Sequence, residues 1–189
     1  TDNSNRVISF FIQINLNVYL FSLIRKPMEQ ILNEAKKLYN EPMHTCEHIL
    51  NQTLVRMFGC GRSVNAHIER KKSKCDYLLN EAPTEAQIAE ITQKVNEIID
   101  AHLPVSEELM SREEAAKIAD LSKLPADASE TLRVIRVGDY DACACIGQHV
   151  NNTSELGRFE IISHDFENGR WRVRFKMTPK SLEEDLHIL

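Results

Sequence analysis

Little in this chain of 189 residues is extreme. Glycine and proline are scarce, six of each, which excludes collagen-like and low-complexity classes. Long apolar runs are missing too. The best candidate, residues 7–24, is interrupted by Gln13, Asn15 and Asn17, polar groups that hydrocarbon tolerates poorly. It also has no small-residue cleavage site of the kind a signal peptide needs. Positive charge is not in excess. A net charge of -5 excludes a broadly basic nucleic-acid-coating surface, though not a local basic patch. The five cysteines are an odd number and cannot all pair. With seven histidines beside them, they fit a reducing, cytoplasmic setting with thiols available for metal or packing.

What is present is ordinary globular material, 42% hydrophobic and 27% charged, with a length suited to one domain. Ile12, Ile14, Leu16, Val18 and Leu20 alternate with polar residues, the period of a half-buried strand. Clear domain logic begins at Met28, however. Residues 1–27 are therefore expected to be an extension and residues 28–189 the domain. Ile31, Leu32, Ala35 and Leu38 share a face over 29–39 and predict a short helix that Pro42 breaks. A second helix is expected from near His44 to Phe58, ended by Gly59. Residues 62–79 read as two strands around the polar run Glu69–Lys74.

Thr84 and Gln87 form a capping box that opens a helix with Ile88, Ile91, Val95, Ile98 and Ile99 inward. Ser111 and Glu114 form another, predicting a helix to about Asp120. From Leu132 the pattern changes to strands: Leu132–Val137, Ala142–Ile146, and two more flanking the hairpin signal Asn168-Gly169. In the last strand Trp171, Val173, Phe175 and Met177 face one way, and Arg170, Arg172, Arg174 and Lys176 the other. Helices followed by antiparallel strands predict a single α+β domain.

Two short motifs carry chemistry. His44-Thr45-Cys46-Glu47-His48 places two imidazoles four residues apart on one helix face, where they can grip one ion. Cys145-Ile146-Gly147-Gln148-His149 offers a thiolate and an imidazole across a turn. Together they supply three nitrogens and one sulfur, a set that tetrahedral zinc accepts. Cys143 is a rival ligand on the same strand face, with a core thiol as its simpler role.

The two-part pattern, with Val150 after it and Thr153-Ser154-Glu155-Leu156-Gly157 behind, resembles the editing domain shared by alanyl- and threonyl-tRNA synthetases. It looks most like the free-standing AlaX-type form. The resemblance covers roughly residues 28–178 and departs from the usual pattern at Ile146, Gln148, Cys46 and Glu47. It implies zinc at His44, His48, Cys145 and His149. It also implies hydrolysis of a wrongly attached amino acid, serine or glycine, from tRNA of the alanine type.

In that reading zinc orients the substrate amino group or a water, and Asn65, Gln148 and Thr153 are candidate partners for a serine hydroxyl. A site built around such a hydroxyl can reject an analogue lacking it by roughly 10⁴-fold. Two basic groups could hold the RNA: the tip Arg70, Lys71, Lys72 and Lys74, and the stripe Arg170, Arg172, Arg174 and Lys176. Two other readings compete. His44-x-x-Glu47-His48 is also the inverted-zincin pattern, with Glu47 as the base of a peptidase, but that leaves Cys145 and His149 unexplained. A closed structural zinc module is the other, and an open cleft at the ion would argue against it. Oligomeric state is not legible.

Overall fold

The computed structural model describes residues 39–125 and 128–179, all within one compact unit. The expected strand at Ile12–Leu20, the boundary at Met28 and the helix over 29–39 lie outside the described residues, apart from Tyr39. Helix α1 spans Glu41–Phe58. It starts a few residues earlier than expected because the Asn40 side chain accepts a hydrogen bond from the Met43 amide. Pro42 sits in the first turn, where a missing N–H costs nothing. Gly59 closes the helix with φ 62, and its amide donates to the Val55 carbonyl.

Strands β1 (Asn65–His67) and β2 (Ser73–Leu78) follow as a hairpin. Helix α2 spans Glu85–Asp100 and opens on the expected Thr84–Gln87 capping box. Strand β3 (Val105–Ser111) leads into α3, Arg112–Ala115. The Ser111–Glu114 capping box is present, but the helix does not reach Asp120. Lys117 and Ile118 donate to carbonyls three residues back, so the coil tightens and ends there.

Strands β4 (Thr131–Val137) and β5 (Asp141–Ala144) come next, then β6 (Arg158–Glu167) and β7 (Arg170–Thr178). The expected strand Ala142–Ile146 runs instead over Asp141–Ala144. The Cys145 amide still bonds the Arg133 carbonyl in register, and the chain then turns where the Arg133 side chain takes the Cys145 and Gly147 carbonyls. Between β6 and β7, Asn168 and Gly169 take φ of 51 and 74, the left-handed values a two-residue hairpin requires.

All pairings between these strands are antiparallel. One sheet has the order β1-β2-β7-β6 and the other β3-β4-β5. The fold is α+β, as predicted. The four-stranded sheet buries Cys75, Tyr77, Trp171, Val173 and Phe175 against Ile49, Leu50 and Leu54 of α1 and Ile91, Val95 and Ile99 of α2. A smaller core forms around Ala115, Leu132 and Val134, with Leu121 and Leu124 packed on it.

The opposite face of the large sheet is the basic stripe, and its charge is locally matched. Arg172 grips Asp76 at 2.6 and 2.7 Å, and Arg174 reaches Asp165 at 2.9 Å. Lys176 reaches Glu160 at 3.1 Å and Arg170 reaches Glu167 at 3.4 Å.

Helix α2 is fastened to β6 through one side chain. Buried Asn96 donates to the Phe159 carbonyl at 3.0 Å and accepts from its amide at 2.9 Å. These bonds occupy backbone groups on the free edge of β6. Asn96→Ala would orphan both, at about 1–3 kcal/mol for each buried group. A loss of about 2–4 kcal/mol in urea unfolding is expected, and an unchanged midpoint would show that the clasp carries no stability.

Candidate metal centre

Helix α1 brings His44 and His48 to one face, one turn apart, and both are buried. The turn after β5 brings Cys145 and His149 to the same place. The ligand atoms of His44, His48, Cys145 and His149 all lie within 4.8 Å of one another. The Cys145 Sγ is 3.5 Å from His44 Nε2. The rings of His44 and His149 stack at 4.2 Å, and His48 stands edge-on to His149 at 4.5 Å. The four donors expected from sequence are thus gathered as expected. Cys143 is not in the group; it lines the adjoining cleft, and burial raises its thiol pKa.

Each imidazole is held from behind by its Nδ1. His44 Nδ1 lies 3.1 Å from the Gln148 carbonyl, which fixes that nitrogen as the donor. His149 Nδ1 lies 3.1 Å from Thr45 Oγ1, which also accepts from the Val150 amide. His48 Nδ1 lies 3.2 Å from Asp141 Oδ2, a contact aligned for charge attraction rather than as a straight hydrogen bond. Outer partners of this kind select the tautomer that leaves Nε2 free. His149 Nε2 is accordingly buried with no hydrogen-bond partner. An orphaned imidazole nitrogen beside a thiol and two more imidazoles is a donor set that fits a divalent ion.

Electrostatics favour ligand-ready forms of Cys145 and His149 but not of His48. Burial opposes a charged Cys145, but the imidazoles of His149, His44 and His48 outweigh it and bring the thiol down to about 2. Burial, aided by the charges of His48 and His44, lowers His149 to about 4. Burial also works against protonated His48, yet Asp141 and Cys145 raise it well above its usual value. Asp141 stays below the ordinary carboxylate range despite its burial, because His48 and Arg62 face it. Arg62 clamps both its oxygens at 2.6 and 3.3 Å.

The turn itself is shaped by β4. Arg133 donates to the carbonyls of Cys145 at 3.1 Å and Gly147 at 2.7 Å. A Cβ at Gly147 would overlap the His44 ring, so glycine is required by contact rather than by φ. A cleft of about 280 Å³ opens beside the donors, lined by His44, His48, Cys145, Glu47, Asn51 and Ser63 among others. A larger groove near Arg56 and Lys94 (about 420 Å³) has no such donor set.

The three residues expected to meet a substrate hydroxyl are placed elsewhere. Asn65 is exposed and donates to Asp76 on the sheet; its neighbour Ala66 lines the cleft instead. Gln148 contributes its carbonyl to His44 while its side chain is exposed. Thr153 is fully buried, at the start of a short 3-10 turn. Its hydroxyl lies 3.2 Å from the carbonyls of Ile98 and Ile99 and accepts from the Leu103 amide at 2.8 Å. It is a clasp on the C-terminus of α2. Of the two basic groups, Arg70, Lys71 and Lys72 are exposed and Lys74 half-buried, and none of the four forms an ion pair among the described residues, the tip's Glu69 pairing with His67 instead. Asp141, Arg62, Thr45 and Arg133 were not singled out by the sequence reading, and each is required by the geometry. A charged residue opening an otherwise small-residue strand was the one available signal, at Asp141.

Comparison with known proteins agrees with this arrangement. Residues 132–173 match the family described as the threonyl and alanyl tRNA synthetase second additional domain. The alanine–tRNA ligase of Fervidobacterium nodosum is 30% identical over 141 residues, 74% of this chain and 16% of that protein. The ligase of Caldicellulosiruptor saccharolyticus is 32% identical over 133 residues, 70% of this chain and 15% of its own length. That of Treponema denticola is 34% identical over 119 residues, 62% and 20% respectively. The chain therefore spans a fifth or less of these relatives.

The clasp role of Thr153 is open to a direct check. Thr153→Val keeps the shape but leaves the Leu103 amide unpaired. Unfolding free energy should fall by about 1–3 kcal/mol while metal uptake is unchanged. Lost metal at undiminished stability would return Thr153 to the site.

Proposed function

We propose that this chain, related to the second additional domain of threonyl and alanyl tRNA synthetases, hydrolyses mischarged aminoacyl-tRNA in trans, as AlaX-type proteins do. The substrate class is seryl- or glycyl-tRNA of the alanine type, in the cytoplasm. The observation that carries the reading is the convergence of His44, His48, Cys145 and His149 at the wall of an open cleft. Zinc is the ion proposed there, because three imidazoles and a thiolate match its preferences. Bound, it would polarise a water or the ester, an effect that lowers a water pKa from 15.7 to roughly 7 and that the Cys145 thiolate weakens.

The chain's own groups do the rest. Asp141, Thr45 and the Gln148 carbonyl hold the three imidazoles by Nδ1. Arg133 holds the turn that presents Cys145. The cleft walls seat the aminoacyl group and limit water. An aminoacyl ester is already labile, so positioning is the main task. The openness of the cleft favours this over a closed structural zinc module. The inverted-zincin reading fits less well, since that pattern accounts for neither Cys145 nor His149.

Purified protein should deacylate seryl-tRNA of the alanine type and lose that activity with a chelator, recovering it with zinc. Cys145→Ala should lose the metal. Asp141→Asn, which keeps the shape but not the charge facing His48, should weaken zinc binding by about 10–100-fold. Metal content by mass spectrometry checks both. Undiminished zinc in Cys145→Ala would sink the assignment.

For the RNA, the two basic groups now differ. The stripe is matched by acidic partners, whereas the tip is not. Phosphate contacts set a salt slope of roughly 0.7–0.9 per contact. Replacing Arg70 and Lys71 should therefore flatten the log–log slope of tRNA binding by about one to two units. The same change at Arg174 and Lys176 should leave it as it was. The reverse outcome would move the RNA onto the face of the large sheet.

A further inference from the structure

The cleft beside the metal donors contains one buried carboxylate that makes no direct ion pair among the described residues. Glu47 sits on α1 immediately before His48 and is only 8% exposed. Its Oε1 accepts from Asn51 Nδ2 and from Ser63 Oγ, the latter at 3.3 Å. Asn51 cannot turn away, because its own Oδ1 accepts from the Ser63 amide at 2.9 Å. The carboxylate is thus held from behind, as the imidazoles are. Among the described residues its Oε2 accepts no hydrogen bond and no cation forms a direct ion pair with it, although the Arg62 charge is near enough to interact.

The cations that line the same cleft are engaged elsewhere. Arg62 gives both its terminal nitrogens to Asp141. Lys123 Nζ donates to the carbonyls of Arg62 and Ser63, each at 2.6 Å. A carboxylate withdrawn from water without a directly paired counter-charge is unfavourable, and a cationic ligand would relieve it. A small cation that fits beside the metal donors is what this oxygen lacks.

Resting on the deacylase reading, we propose that Glu47 binds the α-ammonium of the aminoacyl group, positioned by Asn51 and Ser63. Every aminoacyl ester carries that ammonium one carbon from the reacting carbonyl. Anchoring it at Glu47 places the ester against the wall formed by His44, His48 and Cys145. An ammonium has no lone pair to offer a metal, so this contact leaves the ion to the ester and its water. It also distinguishes Glu47 from a general base, which would touch the attacking water.

The test compares seryl-tRNA with N-acetyl-seryl-tRNA, using the zinc-loaded full chain. The parent should favour the free amine by about tenfold or more in kcat/KM, the value of one charge-assisted contact. Glu47→Gln should raise KM for the free amine by about that factor and leave the acetylated ester unchanged, so that the preference collapses. Zinc content and unfolding midpoint should match the parent. A fall in kcat of similar size for both esters would make Glu47 a base or a structural group and overturn the proposal.

Calorimetry with a non-hydrolysable 3′-seryl-amide of adenosine reads the same contact without chemistry. The parent should bind it more tightly than its N-acetyl counterpart, and Glu47→Gln should bind the two alike. Equal affinity in the parent overturns the assignment. If the parent binds with that preference but cleaves neither ester, the deacylase reading fails and the ammonium site stands.

Discussion

The four donors can meet only because β5 is pinned across α1, and that pinning runs through Asp141. Its buried carboxylate faces His48 on one side and is clamped by Arg62 on the other. Those residues come from the helix, from the segment before β1 and from the start of β5. A buried carboxylate with fewer partners would be costly; with two cationic ones it becomes a strong geometric constraint. Cys145 lies four residues further on, and Arg133 from the neighbouring strand then turns the chain so that His149 folds back over α1. The metal centre is therefore a consequence of how β4 and β5 dock, not of α1 alone.

The same constraint distributes the protons. A thiolate and three neutral imidazoles, each with a free ring nitrogen, are what an ion at this site needs. Cys145, at about 2, and His149, at about 4, already meet that requirement near neutral pH. His48 does not, because Asp141 and the thiolate raise it. A metal ion taken up there would have to displace the proton that Asp141 favours on His48.

Much of this was legible in the sequence. The histidine pair could be read because four residues on a helix is a fixed angular step. The Asn168-Gly169 hairpin and the Thr84–Gln87 cap could be read because each depends on atoms within a few residues. The alternation of β7 was read correctly, but the acidic residues facing its cations belong to β2 and β6, and pairing across strands is not written in either strand. Thr153 failed for a related reason. A hydroxyl that closes a helix end and one that meets a substrate are the same residue type, and only the nearby Ile98 and Ile99 carbonyls tell them apart. Asp141 carried only the weak signal of a charge opening a small-residue strand, because its partners lie on α1 and in the segment before β1.

A four-donor site raises one question of mechanism that the cleft helps to answer. With three imidazoles and a thiolate around one ion, little Lewis acidity is left, and structural sites share that habit. Such a centre could still serve a labile ester, provided that groups beside the ion hold that ester in place. Those groups are present: Glu47, Asn51 and Ser63 form one hydrogen-bonded unit along the cleft, held by α1 and by the segment before β1. They are rigid because each bond restricts the next, so they need no reorganisation when a ligand arrives. In the proposed reading an ion would hold α1 and the Cys145 turn in register, and the carboxylate beside it would anchor the aminoacyl group. The proposed deacylation would divide its work in this way, between a tightly ligated centre and the polar wall next to it.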